Sequence, residues 1–188
     1  MNSVVFETKR LVIRLANEAD VDLVYTLWTH PQVMQYVGFP HGLRITREEV
    51  SARLMRCEKR PFECILIVVL RETDESLGQC LMHYPNEDGI AATDVKLLPE
   101  FWGHKFGVEV KQGLVDYLFM HTDCTVVEGS PNVKNIASIK MQEAVGGVRV
   151  RESVHEFPES MRDFTMPVHS IIYHVQREVW EKRDERYK

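Results

Sequence analysis

The sequence predicts a mixed α/β domain built on a largely antiparallel sheet, and three observations carry that prediction. A near-continuous apolar run at residues 64–72 is followed by two more strand-like runs, with only short polar turns between them, the pattern of a meander. After Pro99 the apolar spacing changes from two residues to three and four, which marks a helix. A strand pattern, a second helix pattern and a final pair of strand patterns then complete the chain.

Taken in order, residues 10–15 set Leu11, Ile13 and Leu15 against the basic Arg10 and Arg14, as a half-buried strand does. Asn17 is placed to cap a helix carrying Val21, Val24, Leu27 and Trp28 on one face, and Pro31 ends it. Thr46 and Glu49 have capping-box spacing and open a second helix. The Ile- and Val-rich run 64–72 reads as a central strand, followed by strands at "LGQCLMHY" and "IAATDVKLL". Phe106, Val110, Leu114, Tyr117 and Leu118 recur at helical steps to about Met120. "CTVVEGS" is a short strand, and "NIASIKMQEAVGG" a helix stopped by Gly146 and Gly147. "VRVRESVHEF" and "HSIIYHVQREVW" form the last strand pair, and the tail "EKRDERYK" reads as a solvated charge run. No repeat, linker or low-complexity tract divides the chain, so residues 1–188 are expected to form one domain with its core at about 7–180.

Bulk properties narrow the function. Hydrophobic residues at 44% and charged residues at 27% are ordinary for a globular protein. A formal charge of -5 argues against nucleic acid as the main ligand. The four cysteines, Cys57, Cys64, Cys80 and Cys124, include no C-x-x-C pair and read as reduced, mostly buried thiols. No targeting segment stands at the start, and no apolar stretch approaches the roughly 20 residues needed to cross a bilayer. The cytoplasm is the expected location, with no membrane partner. The eight histidines and four cysteines show no ligand spacing, so no metal is expected.

One local signal points to chemistry. In "FWGHKFG", residues 101–107, two glycines flank a turn that leads into a helix. The first N–H groups of a helix lack partners within it and attract anions. Neither G-x-x-x-x-G-K-[ST] nor G-x-G-x-x-G is present, so locally a tight turn and an anion cradle both stand open.

The wider order of motifs resembles the GNAT N-acetyltransferase superfamily, in its ribosomal-protein-alanine acetyltransferase-like branch. That branch has a W-G-x-G-[YF]-[GA]-x-E segment at the start of its cofactor helix, and here Trp102, Gly103, Lys105, Phe106, Gly107 and Glu109 stand in it. It also has N-x-x-S before a helix ending in Gly, matched by Asn135, Ser138 and Gly146. The opening "ETKRLVIRLANEADVDLVYTLWTHPQVMQYVG" is similar to its first strand and helix. The similarity spans about residues 7–180; its segments are specific together and weak singly.

The resemblance implies a sheet of about seven strands, splayed between the fourth and fifth and flanked by about four helices. It implies acetyl-CoA as acetyl donor, with the pyrophosphate on the turn of Gly103, His104, Lys105, Phe106, Gly107 and Val108. Pantetheine would run beside the strand holding Val95, Leu97 and Leu98, whose N–H groups could also serve the thioester oxygen. Ser138 or Asn135 would reach the sulfur, and Asp94 or Glu128 would take the ammonium proton. Simpler roles compete: Asn135 is a natural N-cap, Asp94 could be a paired surface carboxylate, and Trp102 reads as packing. The family pattern is broken where Lys105 replaces a glycine, Gln142 stands where many members place a tyrosine acid, and Gly147 replaces an aromatic.

Two loops remain for the acceptor. Residues 30–42 hold Tyr36, Phe39 and His41; residues 156–167 hold Glu156, Glu159 and Asp163, which could attract a cationic amine. A protein N-terminus, a polyamine, an aminoglycoside or another small amine all fit. A non-catalytic CoA or acyl-CoA sensor is the alternative, a longer acyl donor a further one, and a homodimer stays open.

Overall fold

The computed structural model describes residues 3–57 and 61–184. In chain order the elements are β1 (Val4–Glu7), β2 (Leu11–Leu15), α1 (Val21–Thr29), α2 (Pro31–Met34), α3 (Arg47–Met55), β3 (Leu66–Leu70) and β4 (Glu75–Met82). They continue with β5 (Ile90–Leu97), α4 (Phe106–His121), β6 (Val126–Gly129), α5 (Ile136–Ala144), β7 (Val148–His155), β8 (Val168–Gln176) and α6 (Arg177–Asp184). All strands join one open sheet of order β1-β2-β3-β4-β5-β6-β8-β7. Pairing is antiparallel except between β5 and β6, which α4 connects.

Both faces of the sheet are covered. Leu66 and Val68 of β3 pack with Val110, Leu114 and Leu118 of α4 on one face. Ile67 and Val69, pointing the other way, pack with Val24 and Leu27 of α1 and Val50 and Leu54 of α3. That double burial is why β3, Leu66–Leu70, is apolar without alternation. Thr46 caps α3 as the sequence predicts, its Oγ1 accepting from Glu49 N at 3.3 Å, whereas Asn17 caps a 3-10 turn at Glu18–Asp20 just before α1, its Oδ1 accepting from Ala19 N at 2.8 Å.

The sheet opens at one place. β5 pairs with β6 only over Ile90↔Val126, Ala91↔Val127 and Ala92↔Glu128. It stays paired with β4 as far as Leu97↔Gly78. Beyond Ala92 the β6 side of β5 is therefore unpaired, and the two strands diverge. The expected splay lies between these same two strands. They are fifth and sixth because the count is eight rather than seven: β1, too short to show alternation, pairs with β2 across a bulge at Val4/Phe6.

Two other expectations are corrected. The last strand ends at Gln176, and the segment read as strand end and solvated tail folds as α6 through Asp184. Trp180 is the reason: its ring packs on Phe119 at 5.4 Å and its indole N–H donates to Asp116 Oδ1 at 2.6 Å. Residues 185–188 of that tail lie outside the described residues. The cysteines are not all reduced thiols: Cys57, after α3, and Cys64, before β3, form a disulfide with Cα atoms 5.5 Å apart. Helix end and strand start bring the pair within disulfide reach, which sequence separation alone did not reveal. Cys80 and Cys124 are free and buried.

Candidate active site

The open edge of β5 defines the first part of the site. Ala92 O accepts from His83 N and Leu98 N donates to Leu77 O, so both residues turn their backbone toward β4. By strand alternation, Thr93, Val95 and Leu97 turn their N–H and C=O groups into the splay. One of these is spoken for: Leu97 O accepts from the Trp102 indole at 2.9 Å. Trp102, read from sequence as packing, is 45% exposed and uses its polar edge to tie the 101–107 turn to β5.

The turn itself depends on left-handed backbone. Gly103 has φ 83° and Lys105 φ 62°. A lysine thus holds the conformation that favours glycine, at a strain on the order of 1 kcal/mol. The N–H groups of Phe106, Gly107 and Val108 open α4 and face a cavity of about 470 Å³ bounded by the β5 edge and the start of α5. A Cβ on Gly107 would meet the flexible Met141 Sδ at 3.3 Å and, in ordinary contact, Leu97 Cδ1 at 4.0 Å, so glycine there leaves open approach from the cavity. Glu109 fixes the helix start to the β1–β2 turn, accepting from Thr8 Oγ1 at 2.6 Å, Arg10 N at 2.8 Å and Arg10 Nε at 2.7 Å. Burial alone would raise its pKa, but these bonds outweigh it and hold the carboxyl below its ordinary range.

Where the strands part lies a crevice of about 100 Å³, lined by Asp94, Lys111, Asn135, Ser138 and Gln142 among others. Asn135 Oδ1 caps α5 by accepting from Ser138 N at 3.1 Å. Its oxygen is therefore engaged, whereas the Ser138 hydroxyl has no hydrogen-bond partner among the described residues. Asp94 is ion-paired to Lys96. Lys111 reaches the crevice from α4 with 1% of its surface exposed, its Nζ donating to Thr93 Oγ1 at 2.5 Å. Burial pushes the Lys111 pKa down to about 7, against the upward pull of Asp94 and Glu128. Gln142 is also buried, and its Oε1 has no hydrogen-bond partner among the described residues.

A third cavity, of about 910 Å³, lies on the α1–α3 face. Asp94 and Lys96 line both it and the crevice, so the two spaces meet at these side chains. Its wall includes Trp28, Phe39, Ile65 and Leu81. The two loops singled out in the sequence meet beside it, with Phe39 on Phe157 at 5.2 Å and Met166 N donating to Gly38 O at 2.9 Å.

The residues expected in the site fall into two groups. Val95, Leu97, Gly103, Lys105, Phe106, Gly107, Val108, Asn135 and Ser138 line the 470 Å³ cavity, as does Tyr36. Phe39 lines the large cavity, and Asp94 the large cavity and the crevice. Leu98 turns toward β4 instead. His104 stacks on Phe106 at 5.7 Å and gives its carbonyl to Arg10. Glu128 is ion-paired with His174 Nε2 at 3.0 Å, outside the linings of these three cavities. His41, Glu156 and Asp163 are exposed and likewise lie outside them. Sequence reasoning missed Lys111, Lys96 and Gln79. Lys111 carried a signal, being a charge one step from the apolar Val110 and Leu114 face of a buried helix.

Comparison with known proteins agrees with this architecture. Residues 10–148 match the family described as "Acetyltransferase (GNAT) domain". The chain is 25% identical over 140 residues to the uncharacterized N-acetyltransferase p20 of Bacillus licheniformis, covering 71% of this chain and 76% of that one. Among solved structures, ribosomal-protein-S5-alanine acetyltransferase from Vibrio fischeri superposes with TM-score 0.73 at 15% identity, covering 93% of this chain and 97% of that one. Aminoglycoside acetyltransferase AAC(6')-Ib, in complex with coenzyme A and kanamycin, gives TM-score 0.69 at 16% identity, covering 92% and 98%.

Proposed function

Because the chain belongs to the GNAT acetyltransferase family, we propose that it is an acetyl-CoA-dependent N-acetyltransferase moving acetyl directly onto a primary amine. The observation that carries this reading is the unpaired edge of β5. It leads from the start of α4 to a crevice that meets a separate large cavity at Asp94 and Lys96. An extended amide chain can pair with Val95 as an added strand, and its anionic pyrophosphate can sit on the first N–H groups of α4.

The amine enters from the large cavity beside Asp94. Its lone pair attacks the thioester carbon, and the oxygen that gains charge accepts the Val95 N–H. As the C–N bond forms and the C–S bond breaks, Ser138 gives its hydroxyl hydrogen bond to the departing sulfur. Asp94 takes the proton shed by nitrogen and passes it to water. Glu128, outside the linings of the three cavities, is the weaker choice for that step. Ser138 is preferred over Asn135 as donor because the Asn135 side chain caps α5.

Thiol release from acetyl-CoA across an amine panel tests the reading, with Ser138→Ala expected to lower kcat about tenfold or more and leave CoA affinity unchanged. Tight acetyl-CoA binding with no release to any amine overturns the enzyme and leaves a CoA sensor. An unchanged rate in Ser138→Ala removes it as the donor.

A further inference from the structure

The large cavity also carries information about the acceptor, and this inference rests on the acetyltransfer reading above. Three carboxylates line it, and each is already engaged. Glu49 Oε2 accepts from Thr46 N at 2.8 Å, Glu63 Oε2 lies 2.6 Å from His83 Nδ1, and Asp94 is paired with Lys96. Three arginines line it as well, and none is paired with a carboxylate among the described residues. Arg44 lies over the Phe164 ring at 4.8 Å and Arg53 over Trp28 at 5.2 Å; Arg56 is exposed beyond the end of α3.

The charges are also separated in space. Asp94 and Lys96 sit where the cavity meets the crevice, while the arginines line the large cavity and not the crevice. Apolar side chains, among them Trp28, Phe39 and Leu81, line the same cavity. Within this floor Gln79, opposite Lys96 on the β4–β5 pair and 4% exposed, holds an Oε1 with no hydrogen-bond partner among the described residues. A buried carbonyl oxygen of this kind calls for an N–H donor.

We propose that the acceptor is an amphipathic amino acid in the broad sense: a primary amine and a carboxylate at opposite ends of an apolar body. The amine end donates to Gln79 Oε1 beside Asp94. The body lies on the apolar floor, and the carboxylate meets the guanidinium groups of Arg53 and Arg56, which bind carboxylates through charge-assisted bonds. A polycation finds the opposite of what it needs, because its extra ammonium groups would face unpaired arginines while every lining carboxylate is engaged.

The test uses one scaffold in three forms, 4-(2-aminoethyl)benzoate, its methyl ester and 4-(2-aminoethyl)benzylamine, with kanamycin as a polycation. Affinity of each is measured calorimetrically for the full chain saturated with CoA, and thiol release separately with acetyl-CoA. The carboxylate is expected to bind at least about tenfold more tightly than the ester or the diamine. Arg53→Gln with Arg56→Gln should bring that ratio close to one and leave ester binding unchanged. Gln79→Leu should weaken all three small amines alike, since it acts at their shared end. Equal or tighter binding of the diamine or kanamycin overturns the proposal, as does a ratio that survives the arginine substitutions. Selective carboxylate binding with no thiol release to any amine of the wider panel leaves the ligand class standing and removes the acetyltransfer reading, so the two fail separately.

Discussion

Lys111 Nζ, in the middle of α4, donates to Thr93 Oγ1 on β5 at 2.5 Å, one residue beyond the last β5–β6 pair at Ala92↔Glu128. A buried lysine nitrogen therefore stands at the apex of the splay. The Thr93 hydroxyl also reaches Glu128 O across the gap at 3.3 Å, so the same group bridges both strands.

This placement predicts a pH signature. Burial holds Lys111 near pKa 7, whereas the unfolded chain titrates it at about 10.5. Between these values the unfolded state binds more protons, so this group makes stability rise with pH, by up to roughly 1.4 kcal/mol per pH unit. Below 7 both states are protonated and its penalty is complete. Lys111→Met should melt above the wild type at pH 6, because Thr93 keeps Glu128 O as partner, and the gap should narrow toward pH 9. Burial pushes the Cys80 thiol up, which bends both curves alike at high pH. Thermal melts from pH 6 to 9 decide; a constant gap, or a less stable Met variant, contradicts the assignment.

Gly107 should respond to size in steps. An added methyl meets the side-chain atoms Met141 Sδ at 3.3 Å and Leu97 Cδ1 at 4.0 Å, so Gly107→Ala should fold and lose CoA affinity severalfold at most. Gly107→Trp should place an indole across the first N–H groups of α4 and abolish CoA binding while the melting temperature stays within a few degrees. Calorimetry reads the affinity, and retained tight binding in the Trp variant would sink the cradle.

Lys105→Gly separates backbone from charge. Its φ of 62° makes glycine the less strained residue, so the folded state should gain, by less than about 1 kcal/mol after the added freedom of the unfolded glycine. CoA affinity should fall severalfold and become less sensitive to salt, since one cation near the anionic ligand is gone. Unchanged affinity and salt dependence would show that the side chain does not meet phosphate.

The disulfide offers a stability test next to the large cavity, whose lining includes both Cys57 and Cys64. Closing so short a loop is expected to contribute about 2 kcal/mol. Cys57→Ser should lower the denaturant midpoint by a matching amount, and reduction of the wild type should reproduce that loss. Intact-mass analysis before and after reduction checks the bond itself, and no mass change on reduction refutes it.

Much of this molecule is legible in its sequence because short-range rules write it there. The uninterrupted apolar run of β3 signals burial on two faces, Thr46 and Glu49 signal a capped helix, and the shift in spacing after Pro99 signals α4. The motif from Trp102 to Glu109 also points to the turn that opens α4, since glycines at a strand-to-helix passage have a local backbone reason. The four-residue β1 is too short to show alternation, and the α6 turn around Trp180 left no such periodicity because a distant partner, Phe119, stabilises it. Only the tertiary structure decided that Cys57 meets Cys64, that Lys111 reaches Thr93 across the splay, and that Glu128 is taken by His174 while Asp94 faces two cavities. These are relations between residues on different elements, whether seven residues apart like Cys57 and Cys64 or far apart in the chain. Burial and charge pairing depend on what else arrives there, which no local pattern encodes.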